Sequence, residues 1–222
     1  MKKFLAAHSP KVSLQKAVAI ATLLILPLSF STAKAETTNT GCTHPFIDVA
    51  DHWAEEDICF MYEEGIVSGY SEKNFLPNNP ITRAEFLKIS LLNLSYTVYP
   101  VQSASFTDVT AEDWAYSYIT FARSKGFVSG YTDGSFHPND YITRAEAVTM
   151  ITQMSGIIEY DVFGFESRFS DVSADDWFGD AVAAAVDQGI VEGYGNGTFR
   201  PNNNLTRAEA IVIAERVWEE LY

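Results

Sequence analysis

Hydrophobic and polar residues alternate with the period of an amphipathic helix in three pairs of short segments. The apolar positions of the first segment in each pair are Ile58, Met61 and Tyr62, then Ile119 and Ala122, then Val182, Ala185 and Val186. Those of the second segment are Leu87 and Leu91, Val148 and Ile151, and Ile211 and Ala214. The pattern predicts an all-α fold made of three helix-loop-helix units.

Local signals predict where the first helix of each pair begins and ends. Asp51, Asp113 and Asp176 precede the three segments, and aspartate is a preferred N-cap residue. Gly65, Gly126 and Gly189 follow them, where a residue with positive φ commonly ends a helix. The stretches "GYTDGSFHPND" and "GYGNGTFRPNN" between the paired helices are rich in turn-forming residues.

Each pair belongs to a longer repeat with a period of 60 to 63 residues. The repeat begins with Phe-x-Asp-Val, continues through an acidic stretch to a tryptophan, and then reaches Gly-Tyr, Gly-x-Phe-x-Pro and Thr-Arg-Ala-Glu. A single unit has too little apolar surface to fold alone, so we expect three units to share one core. The predicted organisation is 1–35 signal peptide, 36–45 short N-terminal segment, 46–95 repeat 1, 96–105 linker, 106–155 repeat 2, 156–168 linker and 169–222 repeat 3.

The N-terminal region has the pattern of an export signal. A basic stretch precedes an apolar run from Ala17 to Phe30, and Ala33-Lys34-Ala35 resembles a cleavage site. Cleavage after Ala35 removes five of the 15 basic residues and none of the 29 acidic ones, so the net charge falls from −14 to −19. We therefore expect a secreted protein that does not insert in the membrane after cleavage.

Such an acidic chain excludes nucleic-acid binding through a basic face. Its long-range field repels anionic partners, so any anion site must be local. The abundance of apolar and aromatic residues is typical of a folded protein.

Cys42 and Cys59 are the only cysteines. In an exported protein they can form a disulfide, which would contribute roughly 3 kcal/mol in the chain-entropy model. Free thiols, or a metal site that also uses His44 and His52, are the alternatives. The cysteine and histidine spacing matches no standard zinc pattern.

The pentapeptide "ITRAE" at 81–85 and 142–146, and "LTRAE" at 205–209, begins the second helix of each repeat. Threonine followed three residues later by glutamate forms a capping box, and alanine is a strong helix former. Local structure therefore accounts for threonine, alanine and glutamate in all three copies.

The arginine is different, because a cation in the first helical turn opposes the helix dipole. Arg83, Arg144 and Arg207 are three of the ten basic residues left after cleavage. They can bind a carboxylate of a neighbouring repeat, with Asp48, Asp108 and Asp171 as candidates. Alternatively, the guanidinium and free helix N-terminal amides receive an anionic ligand. The residues alone leave both alternatives open.

These motifs, in residues 46–95, 106–155 and 169–219, closely resemble the S-layer homology domain family. The resemblance implies three modules in a pseudo-threefold arrangement around a central helical bundle. It implies non-covalent binding to an anionic, often pyruvylated, secondary cell-wall polysaccharide through grooves between modules, which anchors an exported protein or S-layer component to the cell envelope. The implied binding residues are Arg83, Arg144, Arg207, Asp48, Asp108, Asp171, Trp53, Trp114, Trp177, Gly69, Tyr70, Gly130, Tyr131, Gly193 and Tyr194.

Repeat 1 matches the family pattern least well. Its turn reads "YSEKNF", with Lys73-Asn74 where the other repeats have glycine followed by serine or threonine. The groove of repeat 1 is thus expected to depart most from the family.

Three of these side-chain groups also have structural interpretations. A tryptophan at the start of an amphipathic helix is often partly buried in the core, and the same alternative applies to Tyr70, Tyr131 and Tyr194. The aspartates can cap local turns.

Other functions have little support in the sequence. No EF-hand loop is present, and a divalent ion bridging protein and polymer is the remaining role for a metal. The distinctive acids occur in triplicate rather than as one catalytic pair, and no nucleophile motif is present. We therefore expect neither an enzyme nor a cofactor or resident metal. The alternative function is an assembly protein whose repeats bind S-layer or other envelope proteins.

Overall fold

The computed structural model describes residues 43–157 and 168–221, which lie in one compact unit. The predicted signal peptide, Cys42, most of the second linker and Tyr222 lie outside the described residues. Cys59 is buried and disulfide-bonded. The pairing of Cys42 with Cys59 stays a prediction.

The described residues form six helices, and the all-α prediction is confirmed. Each repeat contributes two of them, joined by a loop. Their bounds are α1 (Glu55–Glu63), α2 (Arg83–Asn93), α3 (Tyr116–Ser124), α4 (Arg144–Ser155), α5 (Gly179–Asp187) and α6 (Arg207–Leu221).

The second helices of the three repeats, α2, α4 and α6, pack against one another in pairs. Each first helix packs against the second helix of another repeat: α3 on α2, α5 on α4, and α1 on α6. The contacts therefore pass in one direction around the three repeats and return from repeat 3 to repeat 1.

A closed ring of backbone hydrogen bonds joins the repeats at their centre. Ile81 N–H donates to the Leu205 carbonyl at 3.0 Å, Leu205 N–H to Ile142 at 2.9 Å, and Ile142 N–H to Ile81 at 3.0 Å. All three side chains are fully buried. The apolar residue before each Thr-Arg-Ala-Glu thus has a role that periodicity did not indicate.

One hydrophobic cluster draws residues from all three repeats, which confirms the expectation of a shared core. The apolar residues predicted for both helices of each repeat lie in this cluster or pack against it. The largest fully buried side chains include Phe75, Phe136 and Phe199, one from each repeat.

The C-terminal signals of the first helices are confirmed, whereas the N-terminal signals are wrong. Gly65 follows the last turn of α1 with φ of 70°, and Gly126 and Gly189 do the same after α3 and α5. The N-cap residues are Ala54, Ala115 and Phe178, and none makes a side-chain capping bond. Asp113 and Asp176 instead accept from the backbone amides of Thr110 and Ser173 in the preceding turn, so the helices begin later than predicted.

Candidate functional site

The capping boxes predicted for α2, α4 and α6 are present. Thr82 Oγ1 accepts from the Glu85 amide at 3.3 Å, and Glu85 Oε2 accepts from the Thr82 amide at 2.9 Å. Thr143 with Glu146 and Thr206 with Glu209 repeat this geometry. Local sequence therefore sets the starting residue of each second helix.

Each arginine that follows the capping threonine extends into the next repeat. Arg83 Nε donates to the Phe136 carbonyl at 2.9 Å, and Arg83 Nη1 lies 2.9 Å from Glu146 Oε1. Its Cζ lies 4.8 Å from the ring centroids of both Tyr131 and Phe136. Arg144 contacts Phe199, Tyr194 and Glu209 in the same way, and Arg207 contacts Phe75 and Tyr70.

The sequence left open whether the arginines bind a carboxylate of a neighbouring repeat or an anionic ligand, and these contacts decide part of that question. The arginines are 6–7% exposed and bind neighbouring repeats, as the structural alternative required. The carboxylates that they contact belong to capping-box glutamates, however, and not to Asp48, Asp108 or Asp171. Arg83 Nη2 has no protein acceptor among the described residues and is not among their buried unpaired atoms, so one edge of this guanidinium remains open.

The helix N-terminal amides are not free, and that part of the ligand alternative is wrong. Arg83 N–H donates to the Asp140 carbonyl at 2.9 Å, and Ala84 N–H donates to the Pro138 carbonyl at 3.1 Å. The amides at the starts of α4 and α6 donate to the next repeat in the same way. Inter-repeat contacts thus occupy the donors that an anion would need at a helix N-terminus.

The capping glutamates have a second role. While Oε2 of Glu146 caps α4, its Oε1 accepts from the Tyr131 hydroxyl at 2.5 Å and from Arg83. Glu85 Oε1 accepts from Tyr70 at 2.8 Å. One carboxylate therefore connects a helix start, a loop tyrosine and, in repeat 2, the arginine of the preceding repeat.

Burial and this hydrogen bond shift the pKa values of both partners. Burial, and then the bond to Glu146, raise the pKa of Tyr131 to about 12. Burial also opposes ionisation of Glu146, but the Tyr131 and Thr143 hydrogen bonds and the Arg83 charge together hold its pKa below the usual value. The tyrosine is therefore a neutral donor and the glutamate an ionised acceptor at neutral pH.

The three aspartates hold turns rather than line a groove. Asp108 accepts from the Phe136 amide at 2.8 Å and from the His137 amide at 2.7 Å. His137 has φ of 56°, which is unfavourable for a residue other than glycine. Asp48 and Asp171 bind the equivalent amide pairs, Phe75 with Leu76 and Phe199 with Arg200. The turn-capping interpretation accounts for their hydrogen bonds.

The glycine of each Gly-Tyr pair allows a close approach between two parts of one repeat. A Cβ atom on Gly130 would lie 2.3 Å from the Phe106 ring, and one on Gly193 would lie 2.0 Å from the Phe169 ring. A larger residue would thus push the loop away from the Phe-x-Asp-Val segment. Gly69 has the same relation to Phe46.

The tryptophans are exposed, so their interpretation as partly buried core residues is wrong. Trp53, Trp114 and Trp177 are 63%, 57% and 66% exposed, and Tyr70 and Tyr131 are 53% and 41% exposed. Exposed aromatic side chains in equivalent places of three repeats are available to a ligand.

Three grooves bring these groups together, and each is lined by all three repeats. We number a groove by the repeat that supplies its Gly-Tyr pair. Groove 1, of about 240 Å³, includes Arg207, Gly69, Tyr70, Glu85, Lys88 and Trp114. Groove 2, of about 470 Å³, includes Arg83, Gly130, Tyr131, Glu146, Met150 and Trp177. Groove 3, of about 230 Å³, includes Arg144, Gly193, Tyr194, Glu209, Arg216 and Trp53.

The structure therefore joins the predicted arginines, Gly-Tyr pairs and tryptophans and leaves the aspartates outside the groove linings. Sequence reasoning missed the capping glutamates, Lys88 and Arg216 as groove residues. The i, i+3 spacing of Glu85 and Lys88, and the i, i+7 spacing of Glu209 and Arg216, place each pair on one helix face and were an available signal.

Within the part of the chain that the structure describes, no group of three or more histidine, cysteine, aspartate or glutamate residues is arranged to hold a metal ion. In the same residues, no helix has the length and apolar character needed to span a membrane.

The sequence matches the family model described as S-layer homology domain at residues 45–87, 105–148 and 168–211. It is 34% identical over 164 residues to cell surface glycoprotein 1 of Acetivibrio thermocellus, which covers 68% of this chain and 7% of the relative. It is 42% identical over 94 residues to the surface-layer 125 kDa protein of Lysinibacillus sphaericus, covering 42% of this chain and 8% of the relative.

A cellulosome-anchoring protein of Acetivibrio thermocellus is 31% identical over 159 residues, which are 69% of this chain and 35% of that protein. Other similar proteins carry enzyme names, such as an endoglucanase of a Bacillus species, and there the match covers 21% of the relative. The chain spans about a third or less of the length of these relatives.

Proposed function

Because the chain belongs to the S-layer homology domain family, we propose that its three grooves bind an anionic polysaccharide of the cell wall non-covalently. The domain of this family is a binding and anchoring module, found in S-layer and cellulosome-anchoring proteins. Similarity to S-layer and cell-surface proteins supports a location in the cell wall or S-layer. Binding would anchor an exported protein or S-layer component there.

The observation that carries this proposal is the composition of the grooves. Each one combines an arginine, a tyrosine beside that arginine and an exposed tryptophan, and these come from three different repeats. A guanidinium supplies charge-assisted hydrogen bonds to a carboxylate or phosphate. An exposed aromatic ring offers a flat apolar face to the C–H groups of a sugar ring. A guanidinium group next to an exposed aromatic ring is therefore suited to bind an acidic sugar.

The net negative charge of the protein means that an acidic polymer is attracted only by the positive groups inside the grooves. The sequence carries a net charge of −14, and its long-range field repels a polyanion. Guanidinium groups in partly enclosed grooves are less screened than surface charges and act over a few ångströms. Several grooves on one protein can also engage one polymer together, which raises the effective affinity well above that of a single groove.

We infer that the ligand is acidic, with pyruvate ketals among the candidate acidic groups. A ketal carboxylate is compact and attached to a sugar ring, so one residue of the polymer could meet both the guanidinium and the tryptophan. Support for this finer assignment is chemical fit with the groove and the family resemblance.

Co-sedimentation tests the proposal. The chain would be mixed with sacculi that carry their wall polysaccharide and with the same sacculi after mild acid extraction of the polymer. We expect binding only to the first preparation, and competition by the purified polymer but not by a neutral glucan. Equal binding to both preparations would overturn the proposal.

The same experiment addresses the alternative of an envelope assembly protein. A protein that binds other envelope proteins should be captured equally by extracted and unextracted sacculi, as long as the protein components remain. Protease treatment of the sacculi would then abolish capture. Polysaccharide binding should survive that treatment.

A further inference from the structure

The three grooves are built alike but differ in the charge of their lining. Grooves 2 and 3 balance cations and carboxylates: Arg83 with Glu146 in groove 2, and Arg144 and Arg216 with Glu192 and Glu209 in groove 3. In groove 1, Arg207 and Lys88 face one carboxylate, Glu85. Among the described lining residues, groove 1 alone has an excess of positive charge.

The arginine of groove 1 is also the least neutralised by ion pairing. Arg83 lies 2.9 Å from Glu146, and Arg144 lies 3.5 Å from Glu209. Within residues 43–157 and 168–221, no carboxylate oxygen lies within 4.0 Å of the Arg207 guanidinium. Its Nε and Nη2 donate to the backbone carbonyls of Phe75 and Ser68 at 3.1 Å and 3.0 Å. These acceptors are neutral, so Arg207 forms no direct ion pair, and Glu85 is the one carboxylate that lines its groove.

Lys88 supplies the second cation from α2, one turn after Glu85. It is half-buried, and no carboxylate in the described part of the chain forms an ion pair with it. The equivalent residues of the other repeats, counted from the Thr-Arg-Ala-Glu motif, are Thr149 and Val212. Both are uncharged, so the lysine is specific to repeat 1.

We propose, on the basis of the proposed function, that groove 1 is the high-affinity site for the acidic sugar and that Lys88 is its specificity-determining residue. A carboxylate in groove 1 meets two cations that lack carboxylate partners. In groove 2 a ligand that approaches the open Nη2 edge of Arg83 faces Glu146, which is already paired with that arginine, and in groove 3 it faces two carboxylates. Each lining contains one capping glutamate, so the preference rests on the added cation Lys88 in groove 1 and on the added carboxylate Glu192 in groove 3.

This ranking reverses the expectation from the sequence, which placed groove 1 furthest from the family pattern. The departure in repeat 1 is the "SEKN" turn, and none of its residues lines groove 1. The lysine that distinguishes this groove lies on α2 instead.

The tryptophans allow each groove to be measured separately. Trp114 lies in groove 1, Trp177 in groove 2 and Trp53 in groove 3. The indole N–H resonances of the ¹⁵N-labelled chain, assigned with single Trp→Phe variants, would be followed during titration with a methyl hexoside 4,6-pyruvate ketal. Its methyl ester, which has nearly the same shape without the charge, is the matched ligand.

We expect the Trp114 resonance to shift at a lower ketal concentration than the Trp177 and Trp53 resonances. With the uncharged ester, all three resonances should shift at similar concentrations. Lys88→Met keeps most of the side-chain stem and removes the charge, and should weaken ketal binding at Trp114 about 3- to 10-fold, with little change at Trp177. Higher salt should reduce the difference.

The reciprocal variant is Thr149→Lys, which brings the second cation to groove 2. Thr149 Oγ1 is buried without a hydrogen-bond partner, so its replacement breaks no such bond among the described residues. Stronger ketal binding at Trp177 is expected. Unchanged midpoints of thermal unfolding for both variants would show that the fold is intact.

Two results would overturn the inference while leaving the proposed function standing. One is a shift of the Trp177 or Trp53 resonance, in the unmodified chain, at the same ketal concentration as Trp114 or at a lower one. The other is a Trp114 shift that is insensitive to Lys88→Met, or absent, in a chain that still sediments with polymer-bearing sacculi. Loss of co-sedimentation itself would instead overturn the proposed function.

Discussion

Arg83 Nη1 and Glu146 Oε1 lie 2.9 Å apart across the junction of repeats 1 and 2. The same glutamate caps α4 through its other oxygen, so the ion pair links the start of one helix to the start of another. The arginine that local helix formation does not require thus forms part of the contact between repeats.

Replacement of Arg83 by alanine should therefore destabilise the protein. It would leave the Phe136 carbonyl without this donor, remove the positive charge beside the partly buried Glu146, and remove contacts with two rings. We expect a loss of about 2–4 kcal/mol in the free energy of unfolding, measured by urea denaturation.

Lys73→Ala, in an exposed turn, is the control and should change stability by less than about 0.5 kcal/mol. An Arg83→Ala variant as stable as the unmodified chain would show that the ion pair contributes little. Because this arginine stabilises the fold, loss of binding in the variant would not by itself identify a ligand contact.

Thr143→Ala should weaken the start of α4. The threonine accepts from the Glu146 amide at 3.3 Å, and its hydroxyl lies 2.9 Å from Glu146 Oε2. The expected cost is about 1 kcal/mol, measured by thermal or chemical unfolding. Thr143→Ser keeps the hydroxyl and should recover most of this loss. A larger change in polysaccharide affinity than in stability would contradict a mainly structural role.

Asp108→Ala should destabilise the turn that precedes α4. The substitution leaves two backbone amides, those of Phe136 and His137, without an acceptor. We expect a loss of about 2–3 kcal/mol by urea denaturation. Asp108→Asn retains one acceptor oxygen and should lose less. If Asp108→Ala abolished binding at unchanged stability, the aspartate would have a ligand role that the hydrogen bonds do not indicate.

Trp177→Ala, unlike the preceding variants, should weaken binding without lowering stability. The side chain is 66% exposed and lines groove 2, so its removal should shift the thermal midpoint by no more than about 2 °C. Binding to the purified wall polymer, measured by calorimetry, should weaken because a stacking surface is lost. Tyr141 is 53% exposed and lines none of the three grooves, and Tyr141→Ala should bind normally. Equal binding of the polymer by Trp177→Ala and Tyr141→Ala would argue against groove 2 as a binding site.

Stability should decline with pH because of an acidic pair between α1 and α6. Burial, then the hydrogen bond to Asp57, the charge of Asp57 and that of Glu219 raise the pKa of Glu215 to about 8. The folded state therefore binds a proton that the unfolded state releases near pH 4.5. The stabilisation is complete below pH 4.5 and is lost as the pH rises to about 8.

Glu215→Gln should remove this part of the pH dependence. The variant and the unmodified chain should have similar thermal midpoints near pH 4.5, and the variant should be the more stable at pH 8. Glu220→Gln, on the exposed end of α6, is the control and should follow the unmodified chain. Parallel curves for Glu215→Gln and the unmodified chain would show that Glu215 does not retain its proton in the folded state.

Much of the fold could be predicted because it depends on contacts close in sequence. The capping threonines act on amides three residues away, and Gly65 ends α1 through its own backbone conformation. Repetition identified the tryptophans and Gly-Tyr pairs as equivalent positions. The N-caps of the first helices were mispredicted because the side chains of Asp113 and Asp176 accept from amides three residues before them, in the preceding turn, and not from amides of the helix.

The candidate site was predictable in its residue types but not in its assembly. Each groove takes its arginine, tyrosine and tryptophan from three repeats, and no spacing within one repeat indicates that combination. Glu146 was explained completely by the capping box, so its second oxygen could not be foreseen. In the sequence, Lys88 is one of several polar residues on an amphipathic helix, and only the packing of the repeats places it in the lining of groove 1.

The sequence by itself determined the helices, their second-helix starts and the number of repeats, because helix periodicity, capping and turn chemistry act over a few residues. Tertiary structure decided which arginine meets which carboxylate, why the helix amides are unavailable to a ligand, and which groove retains excess charge. These depend on distances between residues roughly 50 to 140 positions apart in the chain, and only the packing of the three repeats sets such distances.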